Sequence, residues 1–254
     1  SAGRDCESEP GVRSEGAWAM SEAPLIFHVD RLDLSFVPKP WAFAIERRSE
    51  IDAFFAALRR GNQAIWNGRV LLMYHQVVAD GVFRGQYLET DYASFAAWCH
   101  WDRPPAKVHD CFGAAAILTA DGAFLLGVMG QSTFNAGQIY FPCGTPDPDD
   151  IVGNKVDLDL SVGRELNEET GLDITEFAIE PGWTTVVDGS LIAQVKVLRS
   201  KENSAALRKR ILMHLASDQH PELADIRIVR KRADFDPAMP RFVTAFLASR
   251  LGSG

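Results

Sequence analysis

The chain has 254 residues, of which 46% are hydrophobic and 24% are charged, and its formal net charge is −8 at pH 7. This length is enough for one large or two small domains with substantial hydrophobic cores. The acidic balance argues against nucleic acids and anionic membranes as partners, since both bind basic surfaces, and no apolar run is long enough to predict a membrane-spanning helix.

Residues 1–20 are rich in Gly, Ser and Glu and show no periodicity, so we expect a disordered leader. Residues 21–110 follow as a predicted N-terminal subdomain. Its predicted elements are a strand over 25–36, a helix over 46–60, a hairpin of strands 70–77 and 82–88 joined at Asp80-Gly81, and a helix that begins after Thr90 or Asp91 and ends near Trp101. No flexible linker follows, so we expect this subdomain to pack on the rest of the chain.

Residues 111–254 form the second predicted domain, a mixed sheet with helices on both faces. Hairpins are predicted at Asp121-Gly122 and Asp188-Gly189. The other predicted elements are a short strand over 138–141, a helix ending at Gly171, a helix over 204–217, a strand over 226–229 and a helix from Pro240 to Arg250. The expected fold class is therefore α/β in the broad sense (α+β).

Three carboxylates, Glu165, Glu168 and Glu169, recur at helical spacing at the end of the predicted central helix. At about 100° per residue they fall within a stripe roughly 100° wide. Leu158, Val162 and Leu166 form a separate apolar stripe that can pack on a sheet. Like charges so close together repel, so either a hard cation such as Mg²⁺ binds there or the stripe is a solvated acidic face with Arg164 as counter-ion.

The order Arg164, Glu165, apolar, any, Glu168, Glu169, any, Gly171, apolar resembles the second half of the Nudix box, the signature of Mg²⁺-dependent hydrolases that cleave a nucleoside diphosphate linked to another moiety. The resemblance implies an α/β/α sandwich and a Mg²⁺ cofactor, or Mn²⁺ in its place. It also implies that Glu165, Glu168 and Glu169 bind metal, that one of them orients the attacking water, and that Arg164 braces the glutamates.

The first half of the box is less regular. Residues 141–145 resemble the family's entry into the box, which would make Gly144 the box glycine, with its main-chain carbonyl offered to the metal. The box then contains a six-residue insertion rich in Pro and Asp, which we expect to be a surface excursion. Val156 stands where the family has an upstream Glu, and Asp157 or Asp159 is the expected replacement.

Residues 67–72 and 88–95 are similar to the N-terminal part of the Nudix proteins that hydrolyse UDP-glucose and UDP-galactose. The favoured substrate is accordingly a UDP-sugar that yields UMP and a sugar 1-phosphate. ADP-ribose or a dinucleotide is the alternative of the same class, and an inactive Nudix-fold binding protein is the alternative of a different class. Tyr92 and Phe95 in this stretch are more simply core residues than base-stacking ones.

Other residues give weaker signals. Asp188 and Glu202 are candidates for a further acid from a later loop, although a turn and a helix N-terminus explain them equally well. The six histidines show no paired ligand spacing. The four cysteines, Cys6, Cys99, Cys111 and Cys143, show no Cys-x-x-Cys pair and no disulfide framework, which favours a reducing, cytoplasmic location.

Overall fold

The computed structural model describes residues 23–61, 63, 65–131 and 133–252. The predicted leader lies outside these residues. The helices are α1 (Ala42–Glu46), α2 (Arg48–Gly61), α3 (Tyr92–His100), α4 (Leu158–Thr170), α5 (Ser204–Ser217) and α6 (Arg241–Arg250). The strands are β1 (Leu25–Val29), β2 (Arg31–Phe36), β3 (Arg69–Ala79), β4 (Val82–Asp91), β5 (Asp110–Leu118), β6 (Phe124–Met129), β7 (Ile139–Tyr140), β8 (Cys143–Gly144), β9 (Ile151–Val152), β10 (Lys155–Val156), β11 (Ala178–Ile179), β12 (Trp183–Asp188), β13 (Leu191–Arg199) and β14 (Leu223–Val229). None of the described helices is both long and apolar enough to cross a bilayer.

The larger sheet runs in the order β1-β12-β13-β5-β6-β14, with β7, β8 and β11 paired at its sides. It is mixed, because β13 and β5 are parallel whereas β12 and β13 are antiparallel. Gly113 of β5 faces α4, and a Cβ on it would lie 2.6 Å from Val162 Cγ2. The next residue back, Phe112, contacts Phe242 of α6. Successive strand residues face opposite sides of a sheet, so α4 and α6 cover opposite faces. The α+β class with a mixed sheet is confirmed.

The predicted hairpins at Asp80-Gly81, Asp121-Gly122 and Asp188-Gly189 are all confirmed, since the strands on either side of each dipeptide pair in antiparallel register. Asp80 and Gly81 both have positive φ, 52° and 70°. Two successive left-handed residues make the tight turn whose twist matches that of the strands. Dipeptides of this kind are thus sufficient to locate the hairpins.

One predicted strand is wrong in its extent, whereas the helix predicted over 46–60 is confirmed as α2. The strand predicted over 25–36 is two strands, because Asp30 interrupts it and its main-chain N–H donates to Gly81 O at 2.7 Å. The strand β1 then pairs with β12 of the larger sheet, whereas β2 pairs with β4. The helix predicted over 46–60 is preceded by the separate α1. Alternating hydrophobicity shows that residues are half-buried, but it does not show which sheet they join.

The smaller sheet runs in the order β3-β4-β2-β10-β9. Its last two strands come from residues 151–156, which directly follow the predicted insertion in the motif. Lys155 pairs with Ser35 of β2, and Phe36 N donates to Asn154 O at 2.9 Å. The insertion is a surface excursion only in part: Pro148 and Asp149 are exposed as expected, whereas Pro146 and Asp150 at its ends are buried.

Two hydrophobic cores lie in the described chain. The larger one combines residues of both predicted domains, including Leu71, Phe83 and Tyr87 from the N-terminal range and Phe141 and Leu166 from the rest. The smaller core is formed within the N-terminal range by α1, α2, α3 and the strands beside them, with Trp41, Ile51, Leu88 and Trp98 at its centre. The boundary between 21–110 and 111–254 stays a prediction.

Candidate active site

The helix α4 has well-defined ends. The Asp157 side chain accepts a hydrogen bond from Leu160 N at 3.1 Å, which caps the first turn. At the other end Gly171 adopts the left-handed conformation, with φ 68°, and confirms the predicted C-cap. Leu158, Val162 and Leu166 are all buried, so the predicted apolar stripe packs toward the sheet and fixes the rotation of the helix about its axis.

This rotation places the three predicted glutamates in different environments. Glu165 and Glu169 are 9% and 3% exposed, whereas the Glu168 side chain is 60% exposed. Glu169 accepts a hydrogen bond from the main-chain N–H of Cys143, and its Oε2 is buried with no partner among the described residues. A solvated acidic face does not describe Glu165 and Glu169, because both carboxylates are inside the protein.

Burial changes the acidity of both buried glutamates. It raises the pKa of Glu165 to about 7, although Arg164 acts in the opposite direction. Burial also raises the pKa of Glu169 well above its usual value, and the negative charges of Glu165 and Glu222 raise it further. Two neighbouring carboxyl groups that resist ionisation are stabilised in the charged form by any cation placed between them.

Arg164 links the helix to the loop before it. One guanidinium nitrogen, Nη1, donates to Glu165 Oε1 at 2.8 Å and lies 3.5 Å from Glu168 Oε2. The other, Nη2, donates to Asp150 Oδ2 at 3.0 Å and lies 3.9 Å from Asp147 Oδ2. Arg164 therefore spans two groups of carboxylates, one on its own helix and one on the inserted segment.

The expected replacement for the upstream Glu is wrong. Asp157 caps α4 instead, and Asp159 contacts Lys196 Nζ at 3.0 Å on another part of the helix. Asp150, which is fully buried, is the acid that contacts Arg164. It belongs to the Pro- and Asp-rich insertion, so the resemblance to the motif gives it no role.

Gly144 lies against the first glutamate. A Cβ at this position would come within 2.6 Å of Glu165 Cδ, so any other residue here would shift this carboxylate from its place. The strand β8, which contains Cys143 and Gly144, pairs with β5 at Ala114 and Gly113. Because α4 also packs over Gly113, the sheet holds the glycine and the glutamate next to each other.

Glu222 is a further acid that no spacing in the sequence indicated. It precedes β14, and its carbonyl oxygen accepts from Gly130 N at 2.7 Å. Its charge acts on both Glu165 and Glu169. Partial desolvation and Glu168 in turn raise the pKa of Glu222. A fourth carboxylate, from a distant part of the chain, is thus near enough to influence the pKa of both buried glutamates, and only the folded structure reveals it.

The later acids expected from the sequence lie elsewhere. Asp188 is 3.4 Å from an Arg241 nitrogen, and Glu202 is paired with Arg210. Tyr92 and Phe95 contact each other at the edge of the smaller core, with ring centroids 6.3 Å apart. Asp188 and Glu202 have local structural partners, and the aromatic pair has a packing role.

Residues 23–61, 63, 65–131 and 133–252 contain no group of three or more His, Cys, Asp or Glu side chains already drawn together as metal ligands. The donor set nonetheless fits a hard divalent ion, because oxygen ligands predominate and the buried Glu169 Oε2 lacks a partner. Glu165, Glu168, Glu169 and the Gly144 carbonyl are the groups that would hold it. Arg164 supplies positive charge next to Glu165 and Glu168.

No protein-family model matches the chain, and no curated protein matches it. Among solved structures, the Nudix hydrolase RenU of M. smegmatis is 14% identical with a TM-score of 0.35, over 56% of this chain and 83% of that one. The MutT protein of Methanosarcina mazei Go1 is 20% identical with a TM-score of 0.37, over 56% and 91%. A protein of Deinococcus radiodurans is 13% identical with a TM-score of 0.36, over 63% and 82%.

Proposed function

We propose that this protein is a Mg²⁺-dependent hydrolase of the Nudix type, which cleaves the phosphoric anhydride of a nucleoside diphosphate linked to another moiety. The observation that carries the proposal is the pair of buried carboxylates Glu165 and Glu169, one of which has an oxygen without a partner. Burying two like charges is unfavourable unless a cation compensates them. Mg²⁺ or Mn²⁺ supplies that compensation, and the same ion can bind the phosphoryl oxygens of a diphosphate substrate.

When bound, the ion would neutralise charge on the phosphoryl oxygens and lower the pKa of a water molecule. The residues of the chain have distinct parts in the reaction. Glu165 and Glu169 bind from inside the protein, and Arg164 fixes the direction of Glu165 through its 2.8 Å hydrogen bond. Glu168 is exposed and faces solvent, so it is the carboxylate placed to accept a proton from the attacking water. The oxygen of the attacking water forms a new bond to one phosphorus as the bridging P–O bond of the anhydride breaks. The bridging oxygen stays on the other phosphoryl group, so that two phosphate monoesters are released.

A UDP-sugar is the favoured substrate, with UMP and a sugar 1-phosphate as products. The support is the resemblance of residues 67–72 and 88–95 to proteins with that activity. These two stretches are adjacent in space, because Val70 pairs with Thr90 and Leu72 with Leu88 across β3 and β4. Asn67 also accepts a hydrogen bond from Ala93 N at 2.7 Å. ADP-ribose and dinucleotides are the other nucleoside diphosphate derivatives to be tested.

A binding protein without hydrolytic activity is the second candidate, and the irregular first half of the motif is what favours it. Val156 cannot supply a carboxylate to Arg164. The Asp150 contact argues for the enzyme, since it provides Arg164 with a carboxylate at 3.0 Å. The arginine brace therefore survives the loss of the upstream Glu.

Turnover of UDP-glucose, ADP-ribose and diadenosine polyphosphates at millimolar Mg²⁺ tests the proposal, with products identified by chromatography. We expect wild-type protein to release phosphate monoesters and Glu169→Gln to lose at least about 100-fold in kcat. The variant should remain folded, because it removes a buried charge and keeps the shape of the side chain. Full activity in Glu169→Gln would overturn the proposal. Binding of UDP-glucose without any products would favour the binding protein.

A further inference from the structure

The segment 145–156, which contains the six-residue insertion and is called the inserted segment below, is attached to the smaller sheet at several points. Leu71 N donates to Pro146 O at 2.7 Å near its start. Near its end Lys155 Nζ lies 2.6 Å from Asp33 Oδ1, beside the main-chain pairing of β10 with β2. A segment held at both ends by a sheet keeps the groups between those ends in fixed positions.

Asp150 lies between these attachments and is fully buried. Its Oδ2 accepts from Asp147 N at 3.1 Å as well as from Arg164 Nη2 at 3.0 Å. Its carbonyl oxygen accepts from Asp157 N at 2.8 Å, the residue that caps α4. Both the side chain and the main chain of Asp150 are thus connected to the helix that carries the glutamates.

We propose that Asp150 is a positioning residue, which holds Arg164 in the orientation that directs Glu165 toward the metal. This inference rests on the proposed function. The planar guanidinium offers its two terminal nitrogens in a fixed geometry, so the contact of Nη2 with Asp150 determines where Nη1 meets Glu165. The smaller sheet, through the inserted segment, thereby acts on the carboxylate group of the larger one.

The charge of Asp150 matters as well as its position. Arg164 lies within 4 Å of carboxylates on both sides, Asp147 and Asp150 on the segment and Glu165 and Glu168 on the helix. If Asp150 is neutral, the guanidinium is drawn toward the helix glutamates, where it competes with a divalent ion for the same oxygens. Asp150 therefore limits the guanidinium to its single hydrogen bond with Glu165, which orients that carboxylate, and leaves the other oxygens of the helix glutamates accessible to metal.

The test is Mn²⁺ binding by water-proton relaxation, together with steady-state kinetics at saturating Mn²⁺. Asp150→Asn keeps the size of the side chain and removes its charge, and we expect Mn²⁺ to bind roughly 10- to 100-fold more weakly. We also expect kcat to fall while KM changes little, because the residue acts on the reacting centre rather than on substrate binding. Asp149→Asn is the matched control, since Asp149 is exposed in the same turn, and it should bind Mn²⁺ like the wild type.

A double-mutant comparison separates a positioning role from a purely structural one. If Asp150 acts through Arg164, then Asp150→Asn combined with Arg164→Met should bind Mn²⁺ as Arg164→Met alone does. The double variant removes both buried charges, so this comparison also decides the matter if Asp150→Asn alone does not fold. Clearly weaker binding by the double variant than by Arg164→Met would overturn the inference.

Failure of the inference and failure of the proposed function give different results. Wild-type affinity for Mn²⁺ in Asp150→Asn would overturn the positioning role and leave the hydrolase proposal in place. The absence of saturable Mn²⁺ binding by the wild type would overturn both. Weaker binding in Asp149→Asn, equal to that in Asp150→Asn, would also count against the inference, because a general effect of the segment's charge would then explain the loss.

Discussion

The two halves of the motif organise their part of the site by different means. In residues 164–172 a single helix sets the relative positions of Arg164, Glu165 and Glu169, and its C-cap and apolar stripe are predicted from the sequence. In residues 144–157 the functional contacts pass through a glycine, a short 3-10 turn and two small strands. There Gly144 touches Glu165 and Asp150 touches Arg164, although both precede the helix by several residues.

The difference shows what a sequence pattern can constrain. Along a helix, the number of residues between two side chains determines the angle between the directions in which they point, because each residue adds a fixed rotation. Across a loop, sequence spacing does not determine side-chain direction, and a carboxylate can contact the same guanidinium from any position that the backbone brings near. An irregular half-motif is therefore compatible with a paired arginine when an acid at a different position makes the contact, as Asp150 does with Arg164.

Gly144→Ala is the most severe test of the contact between the two halves. The added Cβ would lie 2.6 Å from Glu165 Cδ, so the carboxylate would have to shift from its present position. We expect turnover to fall by roughly 100-fold and Mn²⁺ affinity to fall with it, on the scale of other substitutions that displace a metal ligand. Kinetics and metal titration of the purified variant measure both effects.

Gly163→Ala is the matched control for this substitution. Gly163 is in the interior of α4, and the nearest atom to an added Cβ is 3.6 Å away, an ordinary contact. Alanine favours a helix over glycine by up to about 1 kcal/mol, so the variant should be more stable and retain its turnover. Equal losses in both variants would mean that α4 tolerates no added methyl group, and the specific role of Gly144 would be contradicted.

Sequence alone predicted the parts of the fold whose signals are local. The three Asp-Gly hairpins, the helix α5 and the Gly171 cap were predicted correctly, since turn residues, helical periodicity and the cap glycine are all encoded within a few positions. The division of residues 25–36 between two sheets was not, because pairing partners are distant in the chain. Asp150 and Glu222 were missed for the same reason: each joins the site through tertiary contacts.

The stability of metal-free protein should depend on pH through the second half of the motif. Burial raises the pKa of Glu165 from 4.5 to about 7, so the folded state binds this proton more tightly than the unfolded chain. Stability is then greatest below the unfolded value and falls as pH rises through the window from 4.5 to 7. The loss attributable to Glu165 should be about 1 to 3 kcal/mol.

Urea unfolding in EDTA at pH 5 and pH 7.5 measures this loss, and Glu165→Gln is its reference. The variant lacks the titrating group, so its stability should change less between the two pH values than that of the wild type. Added Mg²⁺ should stabilise the wild type more at pH 7.5 than at pH 5, because the ion binds the ionised carboxylates. An unchanged pH dependence in Glu165→Gln would contradict the raised pKa.

Glu222→Gln should have a smaller effect, because Glu222 lies outside both halves of the motif and acts through its charge. Removing that charge lowers the pKa of Glu165 and Glu169, on which it acts, and takes one negative group from the surroundings of the metal. We expect Mn²⁺ to bind about fivefold more weakly, equivalent to about 1 kcal/mol. Titration at low and high salt distinguishes this charge effect from direct ligation, which salt would weaken less.

Glu202→Gln should have the smallest effect. It tests whether an acid can be assigned to the site from its position along the chain alone. Glu202 comes after α4 in the chain, as expected of the further acid predicted from a later loop. In the structure it pairs with Arg210, which also contacts Glu176 at 2.8 Å. Both pairs are at the surface, so the substitution should cost less than about 1 kcal/mol of folding stability. Turnover and Mn²⁺ affinity should match those of the wild type. A loss of turnover in Glu202→Gln comparable to that in Glu222→Gln would contradict this assignment. It would mean that Glu202 contributes to the site, as its position along the chain indicated.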